Sequence, residues 1–228
     1  HGGVPVLALP ARGGRFYDWE NNGMPEAAAR LLHEGKMQLF CADSIDAESL
    51  LAGHETPRRR AEMQEKYFVY LTAELAPRIA ALNAPEAKKP PLIWCAGVDT
   101  GAYQAVQCRL RRPGVFAGAV GLSGLYDMSR FLGSCEDDLV LRSSPLAALR
   151  KNGICNKNLL AKAEENTLLL CVGQGGYEGD ALTDTQALAD TLKETGLPCH
   201  LEVWGGDVSH DWYWWGKEFG MFAERLFG

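Results

Sequence analysis

Short apolar runs recur along the chain and alternate with longer stretches in which apolar residues return every three or four positions. The runs Val4–Leu9, Met37–Ala42, Leu92–Val98, Phe116–Leu122, Thr167–Val172 and His200–Trp204 predict strands. Most are apolar throughout rather than alternating, as strands covered on both faces are. The stretches Met24–His33, Arg58–Leu82, Ala102–Arg111, Thr183–Thr195 and Trp212–Phe227 predict helices, from their spacing and their flanking Gly and Pro. Strand and helix taking turns from end to end predicts an α/β fold, with a mostly parallel sheet and helices on both its faces.

The stretch from Ser123 to Asn166 breaks this rhythm, carrying Gly, Ser, Cys and paired acids before Ser144-Pro145. It is expected to form a cap-like segment over a site. A length of 228 residues, 46% of them hydrophobic and 23% charged, suits one large core, so residues 1–228 are expected to form a single domain.

Charge narrows the partners. A net charge of -6 argues against nucleic acid and anionic lipid, both of which require concentrated positive charge. No apolar run reaches the length of a membrane span. A small-molecule substrate or ligand is the expected partner. The seven cysteines (41, 95, 108, 135, 155, 171 and 199) lack CxxC spacing and fit neither a zinc site nor a disulfide framework. With no signal-peptide pattern at the visible N-terminus, they point to a reducing cytoplasm. No metal or cofactor is expected, because His33, His54, His200 and His210 show no ligand spacing.

Candidate chemistry begins at Gly97-Val98-Asp99-Thr100-Gly101, where a buried strand meets a helix start. The small residues are spaced as in a nucleophile elbow, whose glycines let a strained turn lift the central side chain above the sheet edge. Here that residue is Asp99, and the N-terminus of the following helix favours its negative charge. Capping that helix is the plainer role for such an aspartate. His210, in the loop after the last strand, follows the elbow in the order expected of a general base. Its orienting acid should lie after the preceding strand, where Glu178 and Asp180 compete and Asp180 is slightly preferred. An oxyanion hole would use the backbone N–H of Thr100 and another from the loop at Ala11 and Arg12.

Several segments together resemble a bacterial esterase family related to esterase D and the S-formylglutathione hydrolases. They are Gly14-Arg15-Phe16-Tyr17, Cys41-Ala42-Asp43-Ser44, Gly101-Ala102-Tyr103-Gln104-Ala105, Leu122-Ser123-Gly124-Leu125-Tyr126-Asp127, Gly173-Gln174-Gly175, Trp204-Gly205-Gly206 and His210-Asp211-Trp212. The resemblance covers nearly the whole chain and implies an α/β-hydrolase fold with a serine, histidine and acid site. It also implies that Ser123 is structural and that Tyr126, Asp137 and Asp138 stand at pocket-lining positions. Tyr103 and Trp212 complete the substrate-binding candidates.

Three departures shape the functional expectation. Asp99 stands where the family elbow, Gly-Cys-Ser-Met-Gly, has serine. Gly179 lies at or beside a position where relatives carry a carboxylate, and relatives have two further strands ahead of the His-Gly-Gly segment, so N-terminal edge strands are expected to be missing. The leading expectation is a hydrolase with a carboxylate nucleophile, which suits an sp3 carbon bearing a leaving group better than an ordinary ester. The alternative is an inactive member that binds a small molecule or acts as a scaffold. An altered copy of a normal esterase ranks third, since Val98 and Thr100 also depart from the motif.

Overall fold

The computed structural model describes residues 3–133, 137–152 and 167–228. Six parallel strands form one sheet: β1 (Val4–Leu9), β2 (Met37–Cys41), β3 (Ile93–Val98), β4 (Phe116–Leu122), β5 (Leu168–Val172) and β6 (His200–Val203). Their order across the sheet is β2-β1-β3-β4-β5-β6. All six predicted strands are present, each within a residue of its expected ends.

The main helices are α1 (Pro57–Tyr70), α2 (Ala76–Asn83), α3 (Thr100–Arg111), α4 (Gly179–Glu194) and α5 (Trp212–Phe227). The single helix expected over Arg58–Leu82 is divided by a wide π turn at Leu71–Leu75. Pro77 follows directly, and because it has no N–H to give the preceding turn, a regular helix cannot run through it. The helix expected over Met24–His33 is likewise two short pieces, Met24–Ala27 and Ala29–His33, with Ala28 between them at φ -116°. A further short helix at Asp18–Asn21 had no signal in the spacing.

Alternation along each strand supplies both faces of the sheet. Leu7 and Leu9 of β1 enter a cluster with Leu71, Ile79, Val106, Leu188 and Leu192 beneath α1 to α4. Val6 and Ala8, their neighbours, enter the opposite cluster with Trp19, Met24, Trp215, Phe219 and Phe222. The sheet is therefore sealed on both sides, and its open ground is the row of loops at the carboxyl ends of the strands. Strand order turns back between β1 and β3, and that is where open parallel sheets take ligands.

Of the expected cap, the described part is helical in three short pieces, Ser129–Leu132, Asp138–Ser143 and Pro145–Asn152. Residues 134–136 and 153–166 of that segment, with Cys135 and Cys155, lie outside the described residues. The five remaining cysteines are free thiols. No helix among the described residues is long and apolar enough to cross a membrane.

Candidate active site

β3 delivers Asp99 to the switch point in a conformation that few residues adopt. Its backbone sits at φ 54°, ψ -121°, a region that costs on the order of 1–3 kcal/mol and survives only where surrounding contacts impose it. Here the Asp99 N–H donates to the Leu122 carbonyl (3.1 Å), and the Asp99 carbonyl accepts from the Ala102 N–H (3.2 Å). Both elbow glycines are sterically required. A Cβ on Gly97 would lie 2.1 Å from the Gly101 carbonyl oxygen, and one on Gly101 would lie 2.3 Å from the Pro10 carbonyl oxygen. The first turn of α3 is thus pressed against the end of β1, beside Ala11 and Arg12.

Three charged side chains converge above this turn. His210 Nε2 lies 3.5 Å from Asp99 Oδ2, while its Nδ1 meets Glu178 Oε2 at 3.2 Å. Glu178 is buried, and its other oxygen accepts a hydrogen bond from the Ser123 hydroxyl at 2.6 Å. Ser123 in turn accepts the indole N–H of Trp215 at 3.0 Å. The Trp215 ring also packs edge-on against the imidazole, with centroids 4.9 Å apart. The loops carrying the acid and the histidine are zipped together by Gly175 N–H to the Val208 carbonyl (2.8 Å) and His210 N–H to the Gly176 carbonyl (2.9 Å).

Arg12 adds a cation. Its Nη2 lies 3.5 and 3.4 Å from the two Asp99 oxygens, and its guanidinium sits 5.4 Å from the centroid of the Phe131 ring. Beneath the elbow, buried Asp46 accepts from the Thr100 hydroxyl (2.8 Å) and the Gly13 N–H (3.1 Å), tying α3 to the β1 loop. Burial raises the pKa of Asp46, against the lowering effect of those two bonds.

Burial opposes a charge on His210, yet hydrogen bonds and charges from Asp99 and Glu178 outweigh it and raise its pKa to about 9. At neutral pH the imidazole is a cation between two carboxylates. Behind it, Glu218 of α5 is fully buried, and neither of its carboxyl oxygens has a hydrogen-bond partner among the described residues. Desolvation lifts its pKa to about 8, so it is uncharged at neutral pH.

Several sequence expectations are corrected. Asp180, the preferred acid, is largely exposed and pairs with Arg130 Nη1 at 2.9 Å. The physical reason is rotation: Glu178 stands at the N-cap of α4 and faces inward, whereas Asp180, two residues on, points to the far side of the helix at 100° per residue. Tyr103 and Tyr126 are enclosed in the core and face no open pocket. The Tyr126 side chain instead fills the space over Gly121 and Gly124, where a Cβ would lie 2.3 Å from its hydroxyl oxygen and 2.2 Å from its ring, respectively. Trp212 is partly buried and packs edge-on against Trp215, so the aromatic that meets His210 is Trp215.

Arg12 was expected through its backbone, but its side chain is what reaches Asp99. Thr100, through its hydroxyl, and Ala11, through its place on the β1 loop, both border the elbow. Asp137 caps the helix that follows it and pairs with Arg58 at 2.5 Å. Asp138 is exposed beside Lys151. Among residues that sequence reasoning missed, Asp46 and Glu218 have no local motif. Trp215 is in view in the sequence as one of three tryptophans following His210, but nothing local tells which of Trp212, Trp214 and Trp215 meets the ring. The described residues contain no group of three or more His, Cys, Asp or Glu placed to hold a metal ion.

A family model described as "Putative esterase" matches residues 12–224. No curated protein sequence matches the chain. Among solved structures, the chain is similar to MPT51 (FbpC1) of Mycobacterium tuberculosis, with TM-score 0.69 and 17% identity over 100% of this chain and 90% of that one. It is also similar to an S-formylglutathione hydrolase from Agrobacterium tumefaciens, with TM-score 0.66 and 16% identity over 99% and 86%. A ferulic acid esterase gives TM-score 0.65 and 16% identity over 97% and 83%. At these identities the likeness is one of fold.

Proposed function

The chain belongs to the esterase family of α/β-hydrolases, and from that premise we propose that it is a hydrolase in which the Asp99 carboxylate, in place of a serine hydroxyl, attacks an sp3 carbon bearing a leaving group. The observation that supports this reading is the line of three groups: Asp99 against Nε2 of His210, and buried Glu178 against Nδ1. An elbow strained to raise Asp99 toward a histidine with an orienting acid is what a nucleophile needs. A mere helix cap needs none of it, and Asp99 makes no side-chain capping bond to α3.

The carboxylate favours alkyl over acyl chemistry. A carboxylate attacking an ester carbonyl would give an anhydride that readily reverts, whereas attack on an sp3 carbon gives a stable ester. Attack on an sp3 carbon needs no base, since Asp99 Oδ forms the new C–O bond as the leaving group departs with its electron pair. Alkylation then removes the Asp99 charge that raises His210. The imidazolium releases its proton to solvent and becomes able to accept one from water.

The hydroxide so formed adds to Asp99 Cγ, and the tetrahedral intermediate expels the alkoxide, which takes the proton back from His210. Asp99, now a carboxylic acid, passes its proton to His210 and restores the resting pair. Backbone N–H groups of Thr100 and the Ala11–Arg12 loop are the proposed donors to the intermediate's oxyanion.

Single turnover in heavy-oxygen water on small alkyl halides and epoxides, read by mass spectrometry, tests this. The expected result is label in the peptide containing Asp99, and no turnover by Asp99→Asn. Turnover without label in Asp99 would sink the proposal. A second reading, a binding protein, is favoured by Arg12 and His210 both facing Asp99, which leaves its charge neutralised at rest. A wild-type protein that turns over none of the panel supports that reading instead.

A further inference from the structure

The Arg12–Asp99 contact is long, as is that of His210 Nε2 to the same carboxylate at 3.5 Å, but Arg12 alone of the two cations is largely open to solvent. At 3.4 and 3.5 Å, one guanidinium nitrogen straddles both carboxylate oxygens, whereas charge-assisted bonds settle near about 2.7–2.9 Å. The Arg12 side chain keeps 44% of its surface exposed, against 8% for Asp99. Its Nε and Nη1 have no hydrogen-bond acceptor among the described residues, so most of its five donors are unused. The guanidinium lies between the buried carboxylate and solvent, steadied over the Phe131 ring.

Such a cation hinders the chemistry proposed for Asp99 if it stays where it is, because it lowers the carboxylate's nucleophilicity. It assists if the substrate draws it off. We infer that the Arg12 side chain binds a carboxylate on the ligand, and that the site takes small carboxylic acids whose neighbouring sp3 carbon bears the leaving group, such as 2-halocarboxylates. A planar guanidinium with a free fork is the side chain best matched to a carboxylate.

Two anions sharing one guanidinium are brought side by side, which sets the carbon next to the ligand's carboxylate within reach of Asp99. Arg12 also offsets the repulsion that an anionic substrate would otherwise meet at an anionic nucleophile. A neutral substrate gains neither benefit. Asp99 is only 6% exposed, which restricts the ligand to a small one.

The reaction balances as the halocarboxylate plus water giving the hydroxycarboxylate, halide ion and one proton. The carbon–halogen bond breaks with its electron pair leaving as halide, and the hydroxyl oxygen remains the one Asp99 supplied. Water's oxygen replaces it in the Asp99 carboxylate. This rests on the Asp99 nucleophile proposed above, and the test separates the two.

First, propionate, which cannot react, is titrated while the His210 ring resonances are followed by NMR. Saturable shifts are expected in wild type, weakened at least tenfold in Arg12→Gln and partly restored in Arg12→Lys. Second, 2-bromopropionate is compared with the neutral 2-bromopropionamide. The acid is expected to lead in kcat/KM by about a hundredfold, with Arg12→Gln erasing the lead.

Alkylation of Asp99 by the amide, with no response to propionate, overturns the role of Arg12 and leaves the nucleophile standing. Propionate binding that depends on Arg12, with no alkylation by either bromide, supports the carboxylate site and overturns the nucleophile. An acid preference that survives in Arg12→Gln overturns the inference.

Discussion

The elbow and the acid–histidine corner face each other across the site and are held in different ways. The elbow is a local structure: five consecutive residues, two glycines with no room for a Cβ, and one residue forced to positive φ. The corner is assembled from four places in the chain, with Glu178, Ser123, His210 and Trp215 linked by side-chain contacts. A strained turn locked by its own neighbours tolerates exchange of the side chain it presents, because the strain resides in the backbone. A side-chain network does not, because each member satisfies the next. That contrast fits the proposed function, in which the elbow presents Asp99 where the resemblance implies serine, while Glu178 and His210 remain in contact.

The contrast can be broken most severely at its rigid end. Gly101→Ala drives a Cβ into the backbone at Pro10 and should cost more than about 3 kcal/mol, seen as a large drop in melting temperature or as failure to fold. Melting within a few degrees of wild type would show that the elbow yields more easily than its contacts imply.

The corner should respond nearly as strongly, and at one acid alone. Glu178→Ala removes a buried partner of a buried cation and should cost about 3 kcal/mol, whereas Asp180→Ala, an exposed change, should stay within about 0.5 kcal/mol. Followed by NMR, the His210 titration should move to lower pH in the first variant and stay put in the second. Equal movement in both would mean that the acid has been misassigned.

pH links the two regions. His210 has a folded pKa of about 9, above its ordinary 6.5, so its pairing is fully present below pH 6.5 and lost as pH rises through 9. The amount is about 3 kcal/mol at 1.36 kcal/mol per unit. Glu218 is raised from 4.5 to about 8 and works in the same direction between those values, since the folded form again holds its proton more tightly. Stability by urea denaturation should therefore fall from pH 6 to pH 9. Asp99→Asn should flatten the upper part of that fall and Glu218→Gln the lower part. A flat wild-type profile would remove the imidazolium from the site.

The smallest effect tests the far end of the network. Ser123→Ala leaves one Glu178 oxygen without its donor and should cost about 1.5 kcal/mol, with the elbow unaffected. A neutral outcome would show that Ser123 merely fills space.

Much of this was legible in the chain. Strand and helix alternation was readable because burial on two faces demands continuous apolar runs, and the elbow because its parts are adjacent. The divided helix at Leu71–Leu75 was half legible, since Pro77 was in view while the π turn that accommodates it was not. Tyr103 and Tyr126 misled because motif position says nothing of which way a side chain turns. Asp180 misled because two residues at a helix start face opposite ways, and the start itself, at Gly179, lay earlier than the spacing suggested.

The sequence by itself determined the strands, the glycine-flanked elbow and the presence of an aspartate at its summit, since each is read from residues a few positions apart. Only the tertiary structure decided which acid serves His210, that Ser123 and Trp215 support that acid, and that Arg12 enters by its side chain. Those contacts join residues 32, 55, 92 and 87 positions apart. Nothing local sets such distances. Packing of the two covered faces against the sheet brings these residues together, and the charges at Asp99 take their meaning from what packing has placed beside them.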